Sequence, residues 1–150
     1  MQITSQFTIA VHIIAAVDYF SSSAAVTSSF LAWSIGANPV IVRNVMGKLK
    51  EAGILEISQG RSGIVLAKPL EEISLFDIYQ ALDCVSEEGL FHFHENPNAN
   101  CLVGRNIHKA MDARLACIQG AMETQMKQMS LAEVVADTRK EIEQENGNAR

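Results

Sequence analysis

Positive charge is scarce in this chain, which has 12 lysine and arginine residues against 17 aspartate and glutamate residues in 150, a net charge of −5. Long apolar runs are also missing, since none reaches the roughly 18 residues that a membrane-spanning helix needs. No positive charge precedes the first apolar stretch, so a signal peptide is not indicated. There are only three cysteines, and we expect them to be thiols in a cytoplasmic protein.

The charges are unevenly distributed along the sequence. Residues 1–70 carry five basic and three acidic side chains, a net charge of +2, whereas residues 71–150 carry seven and fourteen, a net charge of −7. Four of the five basic residues of the first segment lie within residues 38–63. This asymmetry indicates one half that faces DNA and one acidic half, although acidic C-terminal helices are often only solvated.

An amphipathic helix is predicted from residue 38 onwards. Asn38 is a favourable N-cap, Pro39 suits the first helical position, and Gly53 suits the left-handed residue that follows a helix. The apolar residues recur with the spacing of one helix face, at Val42, Val45, Met46 and Leu49.

A hairpin is predicted directly after this helix. Apolar runs at 54–57 and 64–66 flank the glycine-rich turn GRSG, which places Arg61 at the tip. A helix in the major groove with a basic hairpin beside it is the winged-helix mode of DNA binding. The same pattern also occurs in α+β domains that bind no nucleic acid, so that alternative remains open.

Two further helices are predicted before this stretch. Residues 3–20 are apolar on nearly all sides, which is typical of a buried scaffold helix. Thr27 or Ser28 caps a short second helix, and a tight turn leads from it into the next helix. Trp33 lies off the apolar face and is expected to pack against a neighbouring segment. The order of three helices and two strands predicts a winged helix-turn-helix domain.

The second half of the sequence predicts a long helix after a long loop. Ser74 and Asp77 have the spacing of a capping box, and residues 86–104 then lose all periodicity. Over residues 102–129 apolar side chains line one side of a helix of about 26 residues, about 39 Å long. We expect a second copy of the chain to cover this stripe, with packing inside the monomer as the alternative. The expected dimer interface comprises Ile107, Met111, Leu115, Ile118 and Met122.

The predicted fold is therefore mostly α with a small β-wing. It divides into a winged helix-turn-helix domain at residues 1–83, a sensor-type loop at 84–101, and a dimerisation helix with a C-terminal helix at 102–150.

These pieces, in this order, resemble the IscR/NsrR/CymR-type winged helix-turn-helix transcriptional regulators, the Rrf-two family, over nearly the whole chain. The matching stretches are AVTSSFLAWSIGANPVIV, LKEAGIL, GRSG, ISLFDIYQAL and HENPNANCLVG. NPVIVR and the last stretch are similar to the YwnA-like branch in particular. The resemblance implies a homodimeric regulator, usually a repressor, whose recognition helices enter successive major grooves of a palindromic operator.

The sequence departs from this family at two places. The best-known members hold an iron–sulfur cluster on three cysteines in the loop before the long helix, but here that loop contains Cys101 alone. A single cysteine cannot hold such a cluster, so we expect no cofactor. The wing also lacks the family's usual Gly-Gly-Tyr, with Ser62-Gly63-Ile64 in its place.

The residues expected to contact DNA lie on the polar side of the helix and on the wing. Arginine matches the O6/N7 edge of guanine and asparagine the N6/N7 edge of adenine, while lysines position the protein on phosphates. Solvated charges without a ligand are the alternative. The full set is Asn38, Val40, Arg43, Asn44, Lys48 and Arg61.

Cys101 is the candidate for redox sensing. It precedes the predicted long helix, whose N-terminal dipole favours a thiolate, and peroxide or an electrophile would oxidise or modify it. An inert loop thiol is the alternative, and Cys84 and Cys117 are expected to be small packed residues. Metal binding is a weaker hypothesis, because the available donors match no established spacing. Those donors are His92, His94, Glu95, Cys101 and His108.

Other classes of function are less well supported. An enzyme would need a base beside Cys101, such as His94 or His108, and the sequence contains no phosphate loop or paired-carboxylate motif. The prediction is therefore a DNA-binding regulator and not an enzyme. A metal-responsive or protein-binding dimeric module without a redox switch remains the alternative.

Overall fold

The computed structural model describes residues 4–58, 63–84 and 89–148. Within these ranges helices predominate, and two short strands form one antiparallel sheet. This confirms the predicted fold class. The elements are α1 (Ser5–Phe20), α2 (Ser28–Ile35), α3 (Pro39–Glu51), β1 (Leu55–Ile57), β2 (Ile64–Leu66), a short 3-10 turn (Leu70–Glu72), α4 (Leu75–Ala81), α5 (Ile107–Gln128) and α6 (Leu131–Asn148).

Helix α1 is the centre of the core, as its apolar composition predicts. It contacts α2, α3, β2, α4 and α6. Its residues Ile13, Ile14 and Val17 are completely buried. Burying an aliphatic side chain of this size contributes about 1.5–3 kcal/mol relative to leaving it exposed. Helix α1 is therefore the scaffold on which the other helices are arranged.

The helix-turn-helix has the predicted caps. The Thr27 hydroxyl oxygen accepts a hydrogen bond from the Phe30 amide at 3.2 Å. Gly36 ends α2 in the left-handed conformation, with φ of 69°. The Asn38 side-chain oxygen accepts from the Val40 amide at 2.9 Å and begins α3. The buried residues of α3 are the four predicted ones, Val42, Val45, Met46 and Leu49.

The base of the wing is held against the segment before α2. Strands β1 and β2 pair with Leu55 opposite Leu66 and Ile57 opposite Ile64. The Ile64 amide donates to the Val26 carbonyl at 3.1 Å. Gly63 has φ of +62°, and a Cβ there would lie 2.6 Å from the same carbonyl oxygen, so only glycine fits. The predicted tip, including Arg61, lies outside the described residues.

The two C-terminal helices are tied back to the first domain. Ser74 and Asp77 form the predicted capping box of α4. The Leu131 amide donates to the Ile73 carbonyl at 2.7 Å, which attaches the corner between α5 and α6 to the start of α4. Leu131 and Val135 of α6 are buried. Helix α6 thus returns to α1 and shares its core.

The predicted start of the long helix at Leu102 is wrong, because α5 begins at Ile107. Residues 98–106 form successive turns. The Asn98 backbone oxygen accepts from the Cys101 amide at 3.0 Å, and the Asn98 side-chain oxygen accepts from the Asn100 amide at 2.9 Å. The Asn106 side-chain amide donates to the Leu102 carbonyl at 2.8 Å, which the Asn106 backbone N–H would bond in a continuous helix. Such side-chain bonds compete with helix formation. With 22 residues, α5 is about 33 Å long.

None of the helices in the described ranges combines the length and the apolar character that crossing a lipid bilayer requires.

Candidate nucleic-acid interface

One face of α3 points away from the core and carries three of the predicted DNA-contacting residues. Val40 is 55% exposed, and Arg43 and Asn44 are also exposed. These positions are three and four residues apart, so they lie on one side of the helix, away from the buried stripe. The structure therefore places an aliphatic side chain, a guanidinium group and a side-chain amide together on one exposed face.

The N-terminal end of this face is also accessible. Asn38 is exposed, but its side-chain oxygen is engaged in the cap of α3. Its two amide hydrogens are available to donate to a ligand. A helix N-terminus has unpaired backbone N–H groups and a positive dipole end, which suits a phosphate. Ile41, which the sequence pattern did not single out, is 38% exposed beside Val40.

Gly47 is a second residue that sequence reasoning missed. It lies inside α3, where glycine is less favourable than alanine by about 0.5–1 kcal/mol. A Cβ at this position would meet no atom within 4 Å. Packing within the chain therefore does not require glycine here. The signal was available in the sequence, since Gly47 follows Val40, Arg43 and Asn44 at helical spacing.

Lys48 has a contact inside the chain that its sequence position did not predict. Its ammonium group donates to the Leu82 carbonyl, at the end of α4, at 3.3 Å. An ammonium group has three donors, so this bond leaves two for a phosphate. Lys50 is exposed on the same last turn of α3. Two lysines near a helix C-terminus also interact favourably with the helix dipole.

Trp33 is exposed, so the expectation that it packs against a neighbouring segment is wrong. Its side chain is 77% exposed, and its ring contacts Phe30 at 5.7 Å between centroids. Phe20 and Phe30, 5.0 Å apart, occupy the contact between α1 and α2. Trp33 lies one turn beyond that contact, on the outer side of α2.

The three thiols are in three different environments. Cys84 is buried at the end of α4, and burial raises the pKa of its thiol, which makes it a poor nucleophile. Cys117 is exposed on α5, so the prediction that it is a small packed residue is wrong for the single chain. Cys101 is exposed in the turns before α5. Helix α5 begins six residues after Cys101, so this cysteine does not lie at a helix N-terminus, contrary to the prediction.

Helix α5 has no fully buried residue in the single chain. Ile118 is 54% exposed, while Ile107, Met111 and Leu115 are half-buried. Met122 is half-buried and packs against the core of its own chain. The predicted stripe is therefore partly covered by its own domain and partly open to solvent.

A helix-turn-helix on a buried scaffold helix, with a two-stranded hairpin beside an outward-facing third helix, defines a winged-helix DNA-binding protein. The chain belongs to the Rrf2 family, described as iron-dependent transcriptional regulators, whose family model matches residues 3–137. It is a DNA-binding transcriptional regulator and not an enzyme.

Known relatives agree with this assignment. YwnA of Bacillus subtilis (strain 168), named as an HTH-type transcriptional regulator, is 37% identical over 133 residues, covering 89% of this chain and 96% of YwnA. A crystal structure described as a DNA-binding protein shares 32% identity and a TM-score of 0.67, covering 87% of this chain and 98% of the other. CymR, the global cysteine regulator of B. subtilis, has a TM-score of 0.67 at 12% identity, covering 91% and 97%, and shows the shared fold.

The residues of this chain do not fit the iron site that the family description implies. Its three thiols lie on separate elements, one buried and two exposed. In residues 4–58, 63–84 and 89–148, no three histidine, cysteine, aspartate or glutamate side chains come together as a metal site. An iron–sulfur cluster needs several thiolates at one place.

Proposed function

We propose that the protein is a homodimeric repressor that acts in the cytoplasm on a palindromic operator. The observation that carries the proposal is the outward face of α3, where Val40, Arg43 and Asn44 are exposed together. A thymine methyl, a guanine edge and an adenine edge are the partners that these three side chains suit. Repression is the mode of action that the resemblance to IscR, NsrR and CymR implies.

Phosphate contacts would come from the two ends of α3 and from the wing. We assign them to the helix N-terminus at Asn38, to Lys48 and Lys50, and to Arg61 on the wing. The absence of a Cβ at Gly47 lets the outer face of α3 approach the DNA closely. These contacts would position the helix without selecting a base sequence.

Exposed apolar surface on α5 supports the dimer. A large apolar side chain such as Ile118 at 54% exposure is favourably covered by a second copy of the helix. The solvent-exposed side of α5 also carries small residues that permit close packing of a second helix. They are Ala110, Cys117 and Ala121. A two-fold dimer presents two recognition helices about 34 Å apart, which matches a palindrome.

Selection from a random DNA library with the purified protein tests this function. We expect an inverted repeat whose half-site centres are about 10 base pairs apart. Affinity for the selected sequence should fall as salt rises, because phosphate contacts release counterions. Recovery of no sequence above background at low salt, or of a single unrepeated half-site, would contradict the proposal.

We further propose that Cys101 makes this DNA binding redox-responsive. Cys101 is exposed, and its backbone carbonyl accepts a hydrogen bond from the Arg105 amide at 3.1 Å within the turns that lead into α5. Oxidation adds polar atoms at these turns. The resulting shift between the winged domain and α5 would change the separation of the two recognition helices.

Titrating operator binding against hydrogen peroxide or diamide tests this role. We expect the parent to lose operator affinity by about tenfold, or ~1.4 kcal/mol. Cys101→Ser should keep its affinity. The matched control is Cys117→Ser, which removes the other thiol that is exposed in the single chain and should respond like the parent. A parent that does not respond, or a Cys101→Ser variant that responds equally, would exclude Cys101 as the sensor.

A further inference from the structure

A cleft lies between the start of the long loop and one face of α5. Its volume is about 560 Å³, and residues 89–95 form one wall. Asp112, Leu115 and Gln119 of α5 lie on the opposite wall. Small-molecule sites commonly measure about 300–1,000 Å³. The cleft is therefore large enough for a ligand with an apolar body and a polar group.

The side chains that line this cleft favour a cation. Glu95 and Asp112 supply two carboxylates, and neither forms an ion pair with any described residue. Phe91 and Phe93 supply aromatic rings, whose faces attract cations. No lysine or arginine is among the described residues that line the cleft. Apart from the titratable imidazole of His92, its ionisable groups are the two carboxylates, and they lie beside apolar surface.

An unsatisfied polar atom lies at the end of the same helix face. His108 precedes Asp112 by one turn, and its ring lies 3.8 Å from that of Phe93, centroid to centroid. The His108 Nε2 atom is buried and has no hydrogen-bond partner among the described residues. A buried nitrogen without a partner is unfavourable. His108 does not itself line the cleft, but its ring contacts that of Phe93, which does.

We propose that this cleft binds a small organic cation, an ammonium group on an apolar or aromatic body, and that its occupancy weakens DNA binding. The ammonium group would contact Glu95 and Asp112, and the apolar body would lie against Phe91, Phe93 and Leu115. The effect on DNA rests on the function proposed above, whereas binding of the cation does not.

A chain of hydrogen bonds connects the cleft to the recognition helix. The Gln119 side-chain oxygen accepts from the Leu90 amide at 2.8 Å, and its amide nitrogen donates to Glu123 at 2.9 Å. The Tyr79 hydroxyl of α4 donates to the same Glu123 oxygen at 3.2 Å. Burial and the Glu123 carboxylate raise the pKa of Tyr79 to about 12, so the phenol keeps its proton and remains a donor.

A further hydrogen bond connects α4 to α3. The carbonyl of Leu82, at its end, accepts from the Lys48 ammonium group of α3. A cation that takes the Gln119 oxygen as acceptor competes with the Leu90 amide and loosens the first bond of this chain. Helix α4, and with it the position of α3, would then be less well defined.

Calorimetric titration of the intact protein with three probes of similar shape tests the cleft. Phenethylamine carries the cation, phenethyl alcohol is neutral and phenylacetate is an anion. We expect phenethylamine to bind at least about tenfold more tightly than the alcohol, and phenylacetate not to bind. Asp112→Asn and Glu95→Gln should each weaken phenethylamine binding by about tenfold. The control Glu141→Gln, at an exposed acid of α6, should leave it unchanged.

Equal binding of the three probes, or unchanged affinity in both cleft variants, would overturn the proposal. Both substituted residues are exposed, so the fold should persist, and circular dichroism checks this. For the effect on DNA, phenethylamine should lower operator affinity in the parent and have a smaller effect in Glu123→Gln, a substitution at a residue that does not itself line the cleft. Amine binding with unchanged operator affinity would overturn the effector role alone. If the protein binds phenethylamine but binds no DNA, the cleft is confirmed as a cation site and the proposed function is refuted.

Discussion

Ile118→Lys is expected to convert the proposed dimer to a monomer and to abolish high-affinity operator binding. A lysine at this position would bring an unpaired charge into an apolar interface, which costs about 3 kcal/mol or more. Ile118 is 54% exposed in the single chain, so the substitution should leave the fold of the monomer intact. A monomer holds only one half-site and loses the contribution of the second recognition helix to binding.

Sedimentation velocity at micromolar concentration measures this change, with thermal unfolding as the check on the fold. Gln144→Lys, which adds the same charge at an exposed position of α6, is the matched control and should remain dimeric. Met122→Lys is less informative, because Met122 packs against the core of its own chain. A parent that sediments as a monomer, or an Ile118→Lys variant that remains a dimer, would rule out this interface.

Arg43→Ala is expected to weaken operator binding by about 1–3 kcal/mol and to relax the preference at one base position. The reason is the loss of the proposed bidentate contact from the guanidinium group to a guanine edge. Arg43 is exposed and lies opposite the buried stripe of α3, so the fold should not change. Competition binding against operators substituted at each position locates the base that is no longer read.

Lys50→Ala is the matched control for a phosphate contact. This substitution should weaken binding to all DNA sequences alike. It should also reduce the slope of the logarithm of the binding constant against the logarithm of the salt concentration by roughly one. Lys48→Ala should behave similarly toward DNA, but it also removes the bond to the Leu82 carbonyl and thus disturbs the contact with α4. If Arg43→Ala and Lys48→Ala both bind the operator like the parent, α3 does not read the DNA.

Much of the winged domain could be predicted because its signals are local. Asn38, Pro39 and Gly53 mark the ends of α3 through the φ and ψ angles and the hydrogen bonds that each residue favours. The capping box at Ser74 and Asp77 spans three residues and formed as expected. A pattern of apolar residues every three or four positions selects the buried face of a helix without reference to the rest of the chain.

The candidate sites were less predictable because they depend on contacts between distant residues. The apolar periodicity of α3 indicated that Lys48 does not lie on the buried face of the helix. It could not indicate that the ammonium group of Lys48 lies within hydrogen-bond distance of the end of α4. Trp33 was expected to be covered, whereas Phe20 and Phe30 occupy the space between α1 and α2. The cleft under residues 89–95 has no sequence signature, because α5 supplies one wall and the loop the other.

The sequence by itself determined the order of the elements, the buried face of α1 and α3, and the resemblance to a family of regulators. Those features follow from backbone preferences and from apolar periodicity within a few residues. Only the tertiary structure decided which thiols are exposed and that α6 packs back against α1, where Arg139 forms a 2.8 Å ion pair with Asp18. These outcomes depend on residues far apart in the chain, and it is their packing around one core that brings them together.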